Sequence, residues 1–423
     1  MPVTKTVRTS YGQRLKNSGS AIVTGLIMFV VGTVLLFWNE GRTVKTTRMI
    51  KEADKACVEL PEPGTVNPEF EGKMVHLVGF ASTPEVFSDP TFGVSADNIL
   101  RMERKVEYYQ LVERSETQTK ENLDGSKTET TTYYYDEKWV DEPVDSKSFE
   151  DVDRRDANWT LITCENQEFV AKEAKVGAYS IPERMISSLS NESKMTINPD
   201  PEALAAVDEY AKKNYYTRRD LVQVSNNTIY VGLNPGTPAI GDVRITFYSV
   251  PQENVSIMAK VQGNTFTKFV AKNGYSMEVI RDGEHSQEEM VEEQKSANKA
   301  LAWALRLLGF FLIYFGLKNI FSFLDTLTKI IPIVKYVVSF GIGLACFLIA
   351  LAWTIIVIAV GWIFYRPVLG IILLVAAAAL IWYVWKKGKE KKEAEAAAAP
   401  AAPVAPAAPQ APEQPQAPVD KPE

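Results

Sequence analysis

The chain is poor in the residues that carry most protein chemistry. Its 423 residues include two histidines, His76 and His285, and three cysteines. No His, Cys or carboxylate set has zinc or iron spacing. There is no GxGxxG fingerprint, no GxxxxGK[ST] phosphate loop and no GxSxG elbow. No cofactor, no metal site and no catalytic residue is therefore expected, and the chain is not read as an enzyme. Positive charge is scarce too: 46 Lys and Arg stand against 52 Asp and Glu, a net charge of −6. Nucleic acid is thereby excluded as the main partner, because phosphate binding needs a concentrated basic face. Three cysteines exclude a disulfide-stapled fold, and 46% apolar residues exclude a wholly disordered one.

Long uncharged runs are what the sequence has instead. Residues 21–38 form one of 18 residues, 336–365 one of 30 and 368–385 another of 18, while 301–317 is broken only by Arg306. A bilayer-crossing helix needs about 20 apolar residues. The runs predict four transmembrane helices at 21–38, 301–322, 336–363 and 368–385, with a cytoplasmic loop at 323–335 and a tight extracytoplasmic turn at 364–367. Residues 1–20 would be a basic cytoplasmic segment. The first run is followed by Trp38-Asn39-Glu40 rather than a small-x-small cleavage site, so it reads as an uncleaved anchor.

Lys and Arg flanking the runs set orientation. An N-terminus in the cytoplasm places twelve of them inside, the reverse places eight, so residues 39–300 are expected outside the cytoplasm. That segment holds 31 basic against 45 acidic residues, whereas both ends of the chain are basic. Its pattern predicts a mixed α/β domain with a helical stalk at each end. Strands are expected over 74–81, 106–113, 130–140, 228–233, 242–250, 255–261 and 266–271, with helices over 182–189 and 201–213. Residues 386–423 are basic and then Ala/Pro-rich, which predicts a disordered cytoplasmic tail.

Few side chains invite a specific role. Cys57 and Cys164 would share the extracytoplasmic compartment, making them a disulfide candidate, the alternative being two buried thiols. Cys346 lies in the third run. Asn-x-Ser/Thr sequons start at Asn158, Asn191, Asn226 and Asn254. Arg306 reads as an interfacial arginine snorkelling to the headgroups. Ser339, Gly341, Gly343 and Ala345 offer a small-residue face for helix packing.

Several motifs resemble the LUMA family, also called transmembrane protein 43. They include Asn39-Glu40-Gly41-Arg42 with Val44-Lys45-Thr46, Glu71-Gly72 with Val75-His76, and Ser88-Asp89-Pro90 with Gly93-Val94. Val106-Glu107 with Tyr109-Gln110 and Val112-Glu113, Trp139, Ser146-Lys147 with Phe149, and Gly241-Asp242 with Arg244 follow. The last is Gly361-Trp362-Ile363-Phe364-Tyr365-Arg366-Pro367. The resemblance implies four spans with both termini cytoplasmic, and it brings no catalytic residues. Animal members reside in the endoplasmic reticulum and inner nuclear membrane and are associated with emerin and lamins, partners that do not transfer to a bacterium. The Ala/Pro tail departs from animal members and favours a bacterial source, which implies an inner-membrane protein with a periplasmic domain.

The expected function is a non-enzymatic membrane scaffold that self-associates and organises unidentified membrane or envelope partners in the lipid bilayer. The alternatives are a channel or transporter, with Arg306 and the small face lining a path, and a membrane-tethered envelope enzyme.

Overall fold

A computed structural model describes residues 2–122, 126–322, 332–366 and 372. The chain divides into a unit Met1–Tyr365 and a unit Arg366–Glu423, and in the second only Arg366 and Ile372 are described. Five α-helices occur among the described residues: α1 (Tyr11–Ala56), α2 (Glu183–Ile186), α3 (Pro201–Tyr215), α4 (Gln287–Ile320) and α5 (Pro332–Tyr365).

The long helices start where local chemistry allows. The Ser10 hydroxyl accepts the Gln13 amide at the head of α1, and Ser286 with Glu289 forms a reciprocal capping box at the head of α4. With 46 residues α1 is about 69 Å long, more than twice the hydrocarbon thickness of a bilayer. Its C-terminal part therefore stands clear of any membrane around residues 21–38 and enters the domain. There Met49, Ile50 and Ala53 pack with Met290 and Val291 of α4 and with Met74, Met258 and Met277 of the domain.

Between them, α1 and α4 run antiparallel, and four glycines set how closely. A Cβ on Gly25 would lie 2.6 Å from the Gly316 carbonyl oxygen, and one on Gly32 would lie 2.9 Å from that of Gly309. Both pairs are seven residues apart, so two turns of each helix meet backbone to backbone. Along α5 the buried positions are Cys346, Ala350, Thr354, Val357 and Gly361, spaced as one helical face. Leu36, Ile313 and Leu317 pack with this face.

The domain holds two main sheets. One is built on a 23-residue strand, Ile99–Glu121, which pairs with Lys127–Val140 as a hairpin and with Val243–Pro251 on its other side. In the other sheet, Met74–Ser82 pairs with Glu253–Gln262, and the path through Thr265–Thr267, Tyr179–Ser180 and Lys175–Val176 returns to Met74–Ser82, closing a small barrel. The register shift at Val250/Pro251 carries the chain from one sheet into the other. One apolar core spans both, joining Leu77 and Ile257 to Val106, Ile245 and Phe247.

Two expectations need correction. The described residues contain three helices long and apolar enough to cross a membrane, Gly12–Ala56, Gln287–Ile320 and Gly341–Tyr365, not four. The run at 368–385 falls outside the described residues except for Ile372, as do 323–331, Pro367 and 386–423. The intervening domain is β-rich rather than mixed α/β. Of its two expected helices, Pro201–Tyr215 forms, capped by Asp200, but the other shrinks to the four residues of α2, whose cap Pro182 supplies no side-chain acceptor. An unanticipated strand, Val3–Thr9, lines the far end of the hairpin, pairing Val3 with Tyr133 and Thr9 with Lys127.

Candidate functional site

The motifs on either side of the domain converge on one junction of α1, α4 and α5. Asn39 is fully buried and Glu40 is 1% exposed. Asn39 Nδ2 donates to the Ala302 carbonyl at 2.9 Å, and Asn39 Oδ1 accepts from Arg42. Arg306 Nε donates to Glu40 Oε1 at 2.7 Å and Arg306 Nη2 to Oε2 at 2.9 Å. Trp362 Nε1 donates to Oε2 at 2.8 Å. Oε1 is thus held by α4 and Oε2 by α4 and α5 together.

Small residues make that approach feasible. A Cβ on Gly41 would fall 2.6 Å from the Tyr365 ring, and one on Gly361 would fall 3.0 Å from the Glu40 Cβ. Above the ion pair, Arg48 donates to the Tyr365 carbonyl at 2.9 Å. Asn298 Nδ2 donates to the Thr43 carbonyl and the Thr47 hydroxyl. The Arg306 guanidinium also lies 5.1 Å from the Trp303 ring centre.

This corrects the reading of Arg306, whose side chain is 16% exposed and ion-paired rather than snorkelling. The uncharged run stops at Trp38, two residues short of Glu40, so the local pattern does not place an acid beside Arg306. Of the motif positions, Asn39, Glu40, Gly41, Arg42, Gly361, Trp362 and Tyr365 meet here. Arg366 is half-buried, and Pro367 lies outside the described residues. The small face on α5 is not part of the junction: among the described residues, added Cβ atoms on Gly341 and Gly343 meet nothing within 4 Å, and Ala345 is exposed. The side chain of Ser339 is outside the described set.

Other candidates come apart. Cys57 and Cys164 are free, and each packs against a different apolar cluster. Burial pushes the Cys57 thiol up to about 12 and raises that of Cys164. Neither is then thiolate at neutral pH, the form that disulfide exchange needs. Cys346 is a buried thiol. His76 Nδ1 bonds Glu59 and Nε2 bonds the carbonyl of His285, so the two histidines meet through backbone and not as paired ligands. Among the described residues no group of three His, Cys, Asp or Glu is placed to hold a metal.

A β-rich domain carried on membrane-length helices, locked at their boundary by a carboxylate–guanidinium pair, is the class of protein that fold and junction define. A family model described as Transmembrane protein 43 matches residues 108–367. The chain belongs to the transmembrane protein 43 family. It is 28% identical to human Transmembrane protein 43 over 381 residues, 87% of this chain and 90% of the relative. The rat protein is 28% identical over 375 residues, 86% and 89%. The Drosophila melanogaster homologue is 27% identical over 390 residues, 88% and 96%. No solved structure matches.

Proposed function

We propose that the protein is a non-enzymatic membrane scaffold, displaying its β-rich domain outside the cytoplasm and assembling with copies of itself or with membrane partners. The observation that supports it is the junction: Glu40, the buried carboxylate at the end of the first apolar run, is consumed in binding three helices together. Arg306, the residue on which a channel reading rested, is consumed with it. The charge count around the runs supports the outward domain, and the Ala/Pro tail supports a bacterial inner membrane over the endoplasmic reticulum or nuclear envelope. Cross-linking and native mass spectrometry in mild detergent test the scaffold reading. A discrete oligomer or a co-purifying membrane protein is expected, and a strict monomer bound to nothing would overturn it.

One observation favours a different disposition of the N-terminus. Val3–Thr9 pairs with the hairpin, keeping the first residues with the domain. At 3.3 Å per strand residue, hairpin side chains such as Glu116 and Asp136, 61% and 57% exposed, would then lie level with residues 21–38 of α1. Charged groups facing hydrocarbon are costly, so a membrane-crossing α1 and this pairing exclude one another. Thr6→Cys and Thr130→Cys, opposite each other in the pairing, decide it. The scaffold topology expects no cross-link between them in membranes and no labelling of Thr6→Cys by an impermeant maleimide from the domain's side.

A further inference from the structure

The charges nearest the apolar runs on the domain side are almost all positive. Over residues 41–51 α1 carries Arg42, Lys45, Arg48 and Lys51 without an acid, and over 294–305 α4 carries Lys295 and Lys299 without one. The domain segment 268–277 adds Lys268 and Lys272, again with no acid. Carboxylates border the three segments at Glu52, Asp54, Glu278, Glu292 and Glu293, and that of Glu52 is occupied by the Lys272 backbone amide, which donates to it at 3.1 Å.

Contacts between the three segments place these cations in one layer. Asn273 Nδ2 donates to the Lys45 carbonyl at 2.7 Å, which sets Lys272 level with Lys45. Asn298 donates to Thr43 and Thr47, which sets Lys299 there too. Lys268 shares a cavity lining with Met49 and Gln294. Lys45 is seven residues past Trp38, about 10 Å along the helix. Trp38 and Trp303 are 52% and 55% exposed, as aromatic side chains at a membrane boundary are. Lys45, Arg48, Lys51, Lys268, Lys272 and Lys299 are all exposed, and none is ion-paired to an acid among the described residues. A domain with fourteen more acids than bases therefore carries a band of six exposed cations without ion pairs on the side of the apolar runs.

We propose that this collar binds the anionic headgroups of phospholipids in the leaflet facing the domain. The inference rests on α1 and α4 crossing a bilayer. The full-length protein is reconstituted in phosphatidylcholine vesicles containing a minority of phosphatidylglycerol, extracted in mild detergent, and its retained lipid quantified. Phosphatidylglycerol should be enriched about fivefold over its bulk share at low salt. Enrichment should collapse towards unity in about 0.5 M NaCl. The quadruple variant Lys45→Gln, Lys51→Gln, Lys272→Gln, Lys299→Gln should lose it, while the same four positions changed to Arg should keep it. Bulk lipid proportions on the wild type, or full enrichment on the Gln variant, would overturn the proposal. Failure of the chain to enter vesicles would instead strike at the membrane reading itself.

Discussion

Removing either member of the Glu40–Arg306 pair should destabilise the helix junction, and the two removals should differ. Breaking a buried ion pair from one side costs about 3–5 kcal/mol, because the remaining charge is left without a partner. Arg306→Gln leaves a carboxylate that is 1% exposed with the Trp362 indole N–H but no counter-charge, so the upper part of that range applies. Glu40→Gln strands a guanidinium on a long stem whose side chain is already 16% exposed, and turning towards the headgroups relieves it to about 2–3 kcal/mol. Unfolding in mild detergent, followed by tryptophan fluorescence, gives the three free energies of a double-mutant cycle. Because each single change removes the same contact, the double variant should be less damaged than the sum by about 1.5–3 kcal/mol. Arg306→Lys cannot span both carboxylate oxygens and should lose about 1.5 kcal/mol. Single effects that add to within about 0.5 kcal/mol would refute the pairing, since that is the behaviour of sites that do not touch.

Other consequences are as direct. Gly25→Ala and Gly316→Ala each push a methyl into the opposite backbone, so each should cost about 1–3 kcal/mol and lower the yield of engineered α1–α4 cross-links. Burial holds the Asp242 carboxyl above its ordinary value. A raised folded value means that its stabilising contribution is complete below about pH 3.9 and is lost as pH rises through the folded value. Asp242→Asn, whose amide oxygen can still accept from Tyr230 and Ala239, should therefore gain on the wild type as pH rises from about 4 to 7. A difference in melting temperature that does not change with pH would refute this. Reducing agent should leave the melting temperature unchanged, because Cys57 and Cys164 are unbridged; a loss of about 2–4 kcal/mol on reduction would reveal a bridge.

What the sequence disclosed follows the range of the forces involved. An uncharged run and a breaker-free stalk are local features, so the course of α1 through Ala56 could be read directly. Parts of both hairpin strands, 106–113 and 130–140, were legible because a run of β-favouring residues is local as well. The barrel was not, because it closes through Met74–Ser82 and Glu253–Gln262, strands nearly 180 residues apart whose pairing no short pattern announces. Glu40 and Arg306, 266 residues apart, were each visible but unpaired. The packing glycines stand at seven-residue spacing in both α1 and α4, a pattern sparser than the small residues of α5 and so less conspicuous. The strand Val3–Thr9 was not legible because Lys5 and Arg8 have the pattern of a charge cluster flanking an apolar run.

The unbroken passage of α1 and α4 into the domain has a mechanical side. Both enter the methionine-rich core that includes Met49 and Met290, so no flexible link separates the membrane segments from the domain. The meshed glycines, with the Glu40 pair above them, resist rolling of one helix over the other. From Trp38 to Ala56 the shaft is about 27 Å long. Tilting the helix pair by ten degrees would carry the far end of that shaft sideways by about 5 Å, so a change in helix tilt within a bilayer would become a displacement of the domain.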